Sequence, residues 1–166
     1  MDTTSWKIYN NKKYRYSLKY PPDYRLSEQD VIEGFKIENP DIIVTEKYPP
    51  LREDHLLIEA GQDEFECSNT TVPNGLFAFA ASQWGINKNR KGGSEMSNLS
   101  EILINGTQGY EYNLTGSYSK EGCGGELFYT QQTFVYLEKN GNIFTFRYPS
   151  QNNTYRQIIE TLSFEE

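Results

Sequence analysis

An α+β fold, with a mainly antiparallel sheet covered by two helices, is what this 166-residue sequence predicts. Three observations carry that prediction. Alternating apolar and polar residues, the mark of half-buried strands, recur from one end of the chain to the other. An Asn-Gly pair, Asn140-Gly141, separates two such segments, which is the turn chemistry of a hairpin and therefore of antiparallel pairing. Only two stretches adopt a helical period instead, so strands outnumber helices by about three to one.

In chain order, the first strand is Tyr14 to Tyr20, where Tyr14, Tyr16, Leu18 and Tyr20 take every second position and Pro21-Pro22-Asp23 ends the run. Strands follow at Val31 to Glu38, within Ile42 to Lys47, and at Leu56 to Ala60, with Lys47 to Leu51 a proline-rich loop. Near residue 71 the period changes. Thr71-Val72-Pro73 supplies an N-cap and an early helical proline, and Leu76, Phe77, Phe79, Ala80 and Trp84 fall at helical spacing, giving a helix over about 73–87. Asn89 to Asn98, with Gly92-Gly93-Ser94, reads as a surface loop. Alternation returns at Ile102 and Ile104, turns at Asn105-Gly106, and continues through Tyr110, Tyr112 and Leu114. A long strand, Leu127 to Leu137, leads through the turn Glu138 to Asn142 into Ile143 to Tyr148. Pro149 to Asn152 then introduces a C-terminal helix whose stripe is Tyr155, Ile158, Ile159 and Leu162.

The length suits a single domain spanning residues 1–166, with residues 1–8 a flexible lead-in. Leu, Ile, Val and Phe number 37, little above the level at which charged chains stay disordered. Thirteen Tyr and two Trp make up the shortfall, so the core must be built on rings.

Charge excludes some functions. Asp and Glu outnumber Lys and Arg by 23 to 16, and the densest basic stretch, Asn87 to Lys91, holds three cations, so no nucleic-acid or anionic-membrane surface is expected. No run of 18 apolar residues could span a bilayer, and Met1 to Ser5 lacks the regions of a signal peptide. Either the chain is cytosolic, or it is a mature fragment whose lipid or transmembrane anchor lies upstream. Cys67 and Cys123 bear on that choice: both sit in polar, turn-rich settings and not in apolar runs that hide an inert thiol. They are the candidate disulfide, worth about 4 kcal/mol in the chain-entropy model, and they point to an extracytoplasmic location. Two unrelated free thiols is the alternative. Five N-x-S/T sequons, at Asn69, Asn98, Asn105, Asn113 and Asn152, mean glycans only in a eukaryotic secretory route.

No catalytic constellation stands out. The one histidine, His55, lies in a charged stretch and reads as a solvated side chain, not a general base. Gly122-Cys123-Gly124-Gly125 matches no phosphate cradle, so no cofactor is expected. Glu53 and Asp54, or Asp63, Glu64 and Glu66, could face a hard cation, but such runs are ordinarily solvated, and no metal site is assigned. Tyrosine remains: Tyr110, Tyr112, Tyr118, Tyr129 and Tyr136 fall on the central strands, and an exposed tyrosine face would suit sugar or peptide. Packing in a chain short of aliphatics is the competing reading of the same residues.

Several phrases resemble the PsbP-like family. Tyr9-Asn10, then Tyr14-Arg15-Tyr16-Ser17-Leu18-Lys19-Tyr20-Pro21-Pro22-Asp23-Tyr24, is similar to the family's opening "Y-N-x(n)-F-S-x-x-Y-P-x-x-W". Ile104-Asn105-Gly106-Thr107-Gln108-Gly109-Tyr110-Glu111-Tyr112 resembles its "i-n-G-x-x-a-y-x-y" strand pair. Gly141 to Phe146, followed by Tyr155 to Phe164, looks like its last hairpin strand and "I-I-x-S-F-x-F" helix and tail. The departures are Tyr24, where the family usually has Trp, and Leu162-Ser163, displaced by one position. The resemblance covers nearly the whole chain and implies an α/β/α sandwich around an antiparallel sheet. Its members include an extrinsic subunit of the photosynthetic oxygen-evolving complex, Ran-binding Mog-type proteins and bacterial lipoprotein-like domains, which share the absence of an enzyme active site. It therefore implies a non-catalytic interaction or accessory domain whose partner is another protein.

Overall fold

The computed structural model describes residues 2–29, 34–38, 55–60, 74–88, 95–119 and 127–165. Eleven strands and two helices lie within them. β1 (Lys7–Asn11), β2 (Tyr16–Tyr20) and β11 (Ser163–Phe164) form a small sheet in the order β1-β2-β11. The large sheet is assembled from β3 (Arg25–Gln29), β4 (Gly34–Glu38), β5 (His55–Ala60), β6 (Glu95–Met96), β7 (Ser100–Ile104), β8 (Thr107–Ser119), β9 (Leu127–Lys139) and β10 (Asn142–Pro149). Its order is β3-β4-β5-β10-β9-β8-β6, β7 pairs with β8 beside β6, and every pairing is antiparallel.

Strand alternation divides the core into two layers. Phe134 and Tyr136 of β9, Tyr112 and Leu114 of β8 and Ile143 of β10 pack with Phe79 and Ala80 of α1 (Leu76–Lys88). The intervening residues Val135, Leu137, Phe144 and Phe146 face the opposite way, onto α2 (Asn153–Glu160) and the small sheet. One helix on each face makes the α+β, α/β/α arrangement, and the second layer is dominated by rings. Phe144 meets Tyr16 edge-on at 5.5 Å, Phe164 at 5.1 Å and Tyr14 at 6.1 Å between centroids. Tyr24 stands edge-on to Tyr155 at 5.8 Å, so its ring is packed into the core.

Two Asn-Gly turns set the register of the central strands. Asn105 and Gly106 (φ 46° and 78°) and Asn140 and Gly141 (φ 54° and 75°) adopt the left-handed pairs of type I′ turns, whose twist matches that of the flanking strands. Gly109 ↔ Leu137 pairing puts both turns at the same end of the sheet. Asn105 also secures a helix end, because its Nδ2 donates to the carbonyls of Glu160 (2.9 Å) and Leu162 (2.8 Å), taking up orphan acceptors at the C-terminal end of α2. At the other end of α2, the Asn152 side chain accepts from the Thr154 N–H at 3.1 Å, an N-cap.

Elsewhere the structure departs from expectation. Lys7 and Ile8 pair with Tyr20 and Lys19, so the lead-in is already strand at residue 7, and Trp6 packs against the core. The first alternating run becomes strand only at Tyr16. Asn11 Oδ1 accepts the Tyr14 N–H, and Arg15 takes φ 53°, so residues 12–15 form a turn although their pattern is strand-like. β3 leaves little mark in the sequence because Leu26 is its only aliphatic residue. Glu95 and Met96, expected in a loop, pair with Thr115 and Leu114. The last helix stops at Glu160, and Leu162 stays in the core after leaving it. The strand expected within Ile42 to Lys47 lies outside the described residues.

Gly109 is fixed by a close approach between strands. A Cβ there would come within 2.6 Å of the Tyr136 carbonyl oxygen and 3.3 Å of Ile102 Cγ1, and would also collide with Leu137. Gly109→Ala is expected to destabilise the fold by about 1–3 kcal/mol, as overpacking does. A lower urea midpoint at unchanged m-value is the signature to look for.

Candidate functional site

Among the described residues, an open cleft of about 510 Å³ lies at the end of the sheet that carries the two Asn-Gly turns. Three pieces of sequence converge there: Leu76 and Phe77 from the first turn of α1, Gln108 and Tyr110 from β8, and Glu138 to Gly141 from the β9–β10 hairpin. Phe77 and Tyr110 form its apolar wall, with ring centroids 5.3 Å apart and planes inclined at 57°. Glu138, Lys139 and the Gln108 and Asn140 amides supply charges and hydrogen-bonding groups around it. Two rings bordered by polar groups of both kinds suit recognition of an amphipathic ligand.

Phe77 is the residue that reading the sequence missed. At 100° per residue it stands some 200° from Phe79 and cannot share its face. The buried arc of α1 is Phe79, Ala80, Gln83 and Asn87, and Phe77 is left 61% exposed. Counting apolar residues at helical spacing hid this, because two of the four buried positions are amides.

The five tyrosines separate. Tyr110 is half-buried in the cleft wall. Tyr112 and Tyr136, at 1% and 2% exposure, belong to the core beneath α1 and offer no face to solvent. Asn87 Nδ2 donates to the Tyr112 hydroxyl at 2.7 Å, and the Tyr112 and Tyr136 hydroxyls share a hydrogen bond at 3.2 Å. Buried tyrosines need such partners, which accounts for the amide on the packed side of the helix. For Tyr118 and Tyr129 only strand positions are described, opposite Phe128 and Ser117. His55 begins β5 opposite Glu38. Cys67, Cys123, Glu53, Asp54, Asp63, Glu64 and Glu66 lie outside the described residues. Among the described residues no group of three or more His, Cys, Asp or Glu could hold a metal ion, and no helix is long and apolar enough to cross a membrane.

On the other face a polar cluster ties α2 to the sheet. Arg156 pairs with Glu111 of β8 and, at 3.1 Å, with Glu160 one helical turn on. Thr133 Oγ1 is within hydrogen-bonding distance of Asn113 Oδ1 (2.7 Å) and Ser150 Oγ (3.0 Å). These groups are engaged with one another and serve packing.

Comparison with solved structures identifies the architecture. Cyanobacterial PsbP (CyanoP) from Synechocystis sp. PCC 6803 matches over 96% of this chain and 92% of its own, with a TM-score of 0.55 and 10% identity. The fold is PsbP-like. The same PsbP-like fold is found in the Ran-binding protein Mog1p of Saccharomyces cerevisiae, which matches over 96% of this chain and 95% of its own at TM-score 0.50 and 8% identity. A looser likeness, TM-score 0.48 and 17% identity over 97% of this chain and 91% of the other, is to LpqN, involved in cell envelope biogenesis of Mycobacterium tuberculosis. No family model matches the chain, and no curated protein matches it in sequence.

Burial of the core hydroxyls fixes an alkaline limit. Desolvation, chiefly, raises the ionisation of Tyr16, Tyr136 and Tyr148 above the ordinary tyrosine value; the neighbouring Tyr9, Tyr112 and Glu111 respectively add to it. Because the folded values exceed the unfolded one, this stability is present below about pH 10 and is lost as pH rises beyond it. The urea midpoint is expected to hold steady to about pH 9 and fall steeply above pH 10, with a fraction of tyrosinate absorbance at about 295 nm appearing only on unfolding.

Proposed function

We propose that this is a non-catalytic, extracytoplasmic interaction domain, and that its partner, another protein, contacts the cleft walled by Phe77 and Tyr110. The observation that carries this reading is the pairing of exposed Phe77 with half-buried Tyr110 in an open cleft beside the hairpin turns, two rings that together offer an apolar contact site. A ring on a helix and a ring on a strand, both anchored, lose little freedom on binding and suit the role of anchors. The fold neighbour Mog1p, a Ran-binding protein, supports a protein partner. The extracytoplasmic location rests on the cysteine pair, which we take to be bonded in the mature protein.

A second reading, a carbohydrate- or peptide-binding module, uses the same rings. It draws on Tyr110 alone among the candidate tyrosines with described side chains, because Tyr112 and Tyr136 are enclosed.

A photo-crosslinking side chain placed at Phe77 in cells of the native host is expected to trap one protein reproducibly, whereas the same group at exposed Asp23, on the β2–β3 turn, traps none. Equal adducts at both positions, or none at Phe77, would reject the cleft as the contact surface. Non-reducing peptide mass spectrometry is expected to recover Cys67 and Cys123 joined; two alkylatable thiols in protein purified without reductant would reject the oxidising compartment.

A further inference from the structure

β7 pairs with β8, whose Gln108 and Tyr110 line the cleft, and is an edge strand among the described residues. It pairs with β8 through Ser100 ↔ Glu111, Ile102 ↔ Gly109 and Ile104 ↔ Thr107, and no strand lies on its other side among the described residues. The geometry of the Asn105-Gly106 turn fixes which backbone groups face outward. In a two-residue hairpin the residues flanking the turn, Ile104 and Thr107, exchange both hydrogen bonds, so Ile104, Ile102 and Ser100 turn their N–H and C=O toward β8. Glu101 and Leu103 therefore turn theirs outward.

The side chains at those two positions are equally available. Leu103 is 71% exposed, the most exposed of the large hydrophobic residues described, and Glu101 is exposed beside it. Leu103 stands opposite Gln108, and Glu101 opposite Tyr110, the two β8 residues that line the cleft. Cross-strand partners sit about 5 Å apart, so the Leu103 side chain extends the apolar wall of Tyr110 and Phe77 to the edge of the sheet. Natural edge strands are usually blunted by charged side chains, proline or a bulge; Ser100-Glu101-Ile102-Leu103-Ile104 carries neither proline nor bulge, and its one charge is Glu101.

We infer that the edge of β7 receives an extended segment of a partner protein as an added antiparallel strand, which turns a basic and an apolar side chain, two positions apart, to the one face that carries Glu101 and Leu103. The inference rests on the reading that Phe77 and Tyr110 mark the contact face, and it names the form in which the partner arrives. Backbone groups of Glu101 and Leu103 supply main-chain hydrogen bonds, and alternate side chains of the added strand lie against Leu103 and toward the rings. Charge decides the chemistry of the occupant. Glu101 and Glu138 flank the strip, with Lys139 the one cation lining the cleft among the described residues, and the chain carries net charge −7. A basic segment is attracted, whereas a second copy of this chain would set −7 against −7.

The test uses the full chain and a fluorescein-labelled hexapeptide, Lys-Thr-Val-Thr-Lys-Thr, which sets lysine and valine on one face of a strand, followed by fluorescence anisotropy at low salt. Saturable binding is expected, together with slowed amide exchange at Glu101 and Leu103; the same peptide with glutamate in place of lysine is expected not to bind. Leu103→Pro deletes an outward donor while sparing the pairing with β8, and is expected to weaken binding roughly tenfold or more, while Leu103→Thr, which keeps the donor, weakens it less. Unchanged affinity in folded Leu103→Pro would overturn strand addition. If that variant does not fold, the wild-type exchange data decide, and unprotected Glu101 and Leu103 amides in the complex overturn it. Loss of binding in Phe77→Ala with none in Leu103→Pro would overturn strand addition yet leave the cleft as contact face. Absence of saturable binding, or a dimer in light scattering abolished by Leu103→Pro, would overturn the basic-strand proposal outright.

Discussion

Phe144 sits where three parts of the chain must meet. It belongs to β10, at the middle of the large sheet, and its ring takes Tyr14, Tyr16 and Phe164 from the small sheet and its adjoining turn at centroid distances between 5.1 and 6.1 Å. Aromatic pairs prefer the inclined geometries seen here, and each adds roughly 0.5–1.5 kcal/mol beyond the area it buries. In a chain with only four valines and a modest count of leucine and isoleucine, that junction replaces the aliphatic interface that would otherwise join two sheets. Once the small sheet is held, β11 positions the chain leaving α2, and Thr161, just past the helix, accepts the Lys19 N–H of β2 at 2.7 Å. The C-terminal helix is thus fastened through the same contact region as the N-terminal strands.

The cleft follows from the central hairpins. Pairing of β8 with β9 in one register aligns the Asn105-Gly106 turn with the Asn140-Gly141 turn, and the first turn of α1 lies over the resulting corner. Rigid elements therefore present the cleft, with Tyr110 on a strand paired on both sides and Phe77 on a helix whose inner face is anchored by Phe79, Ala80 and the Asn87–Tyr112 bond. Neighbouring positions on β8 divide the labour: Tyr110 and Gln108 face the cleft, Gly109 admits Leu137 from the layer behind, and Glu111 holds Arg156 of α2.

Much of this fold is legible in the sequence, and what is not has identifiable physical causes. Alternation marks β8 and β10, continuous apolar runs mark β5 and the Phe134–Leu137 part of β9, and the stripe of Tyr155, Ile158 and Ile159 marks α2, because tertiary burial there agrees with the local pattern. Asn11 and Arg15 defeat the pattern around β2, since a side-chain-to-backbone hydrogen bond imposes a turn on residues that alternate like a strand. Short pairings such as β6 and β11 depend on distant partners and leave no trace in two residues. The tyrosine face is instructive in another way. Tyr110, Tyr112 and Tyr136 are alike in a strand pattern, and only the placement of α1 decides which ring is enclosed and which lines a cleft. The exposed Phe77 was concealed by Gln83 and Asn87, polar residues on the inner face of α1 that serve the buried hydroxyl network and a packed layer.

Asn105 carries a consequence for how the protein can be made. Its side-chain amide is the nitrogen to which a sugar would be joined in the sequon Asn105-Gly106-Thr107, and that nitrogen is already committed to the carbonyls of Glu160 and Leu162. A glycan attached there would remove a donor and set a bulky, hydrated group against the end of α2. Since such attachment precedes folding in a eukaryotic secretory pathway, a host that reads this sequon would block closure of the C-terminal segment onto the β7–β8 turn. Bacterial secretion leaves the Asn105 amide unmodified and able to complete the fold.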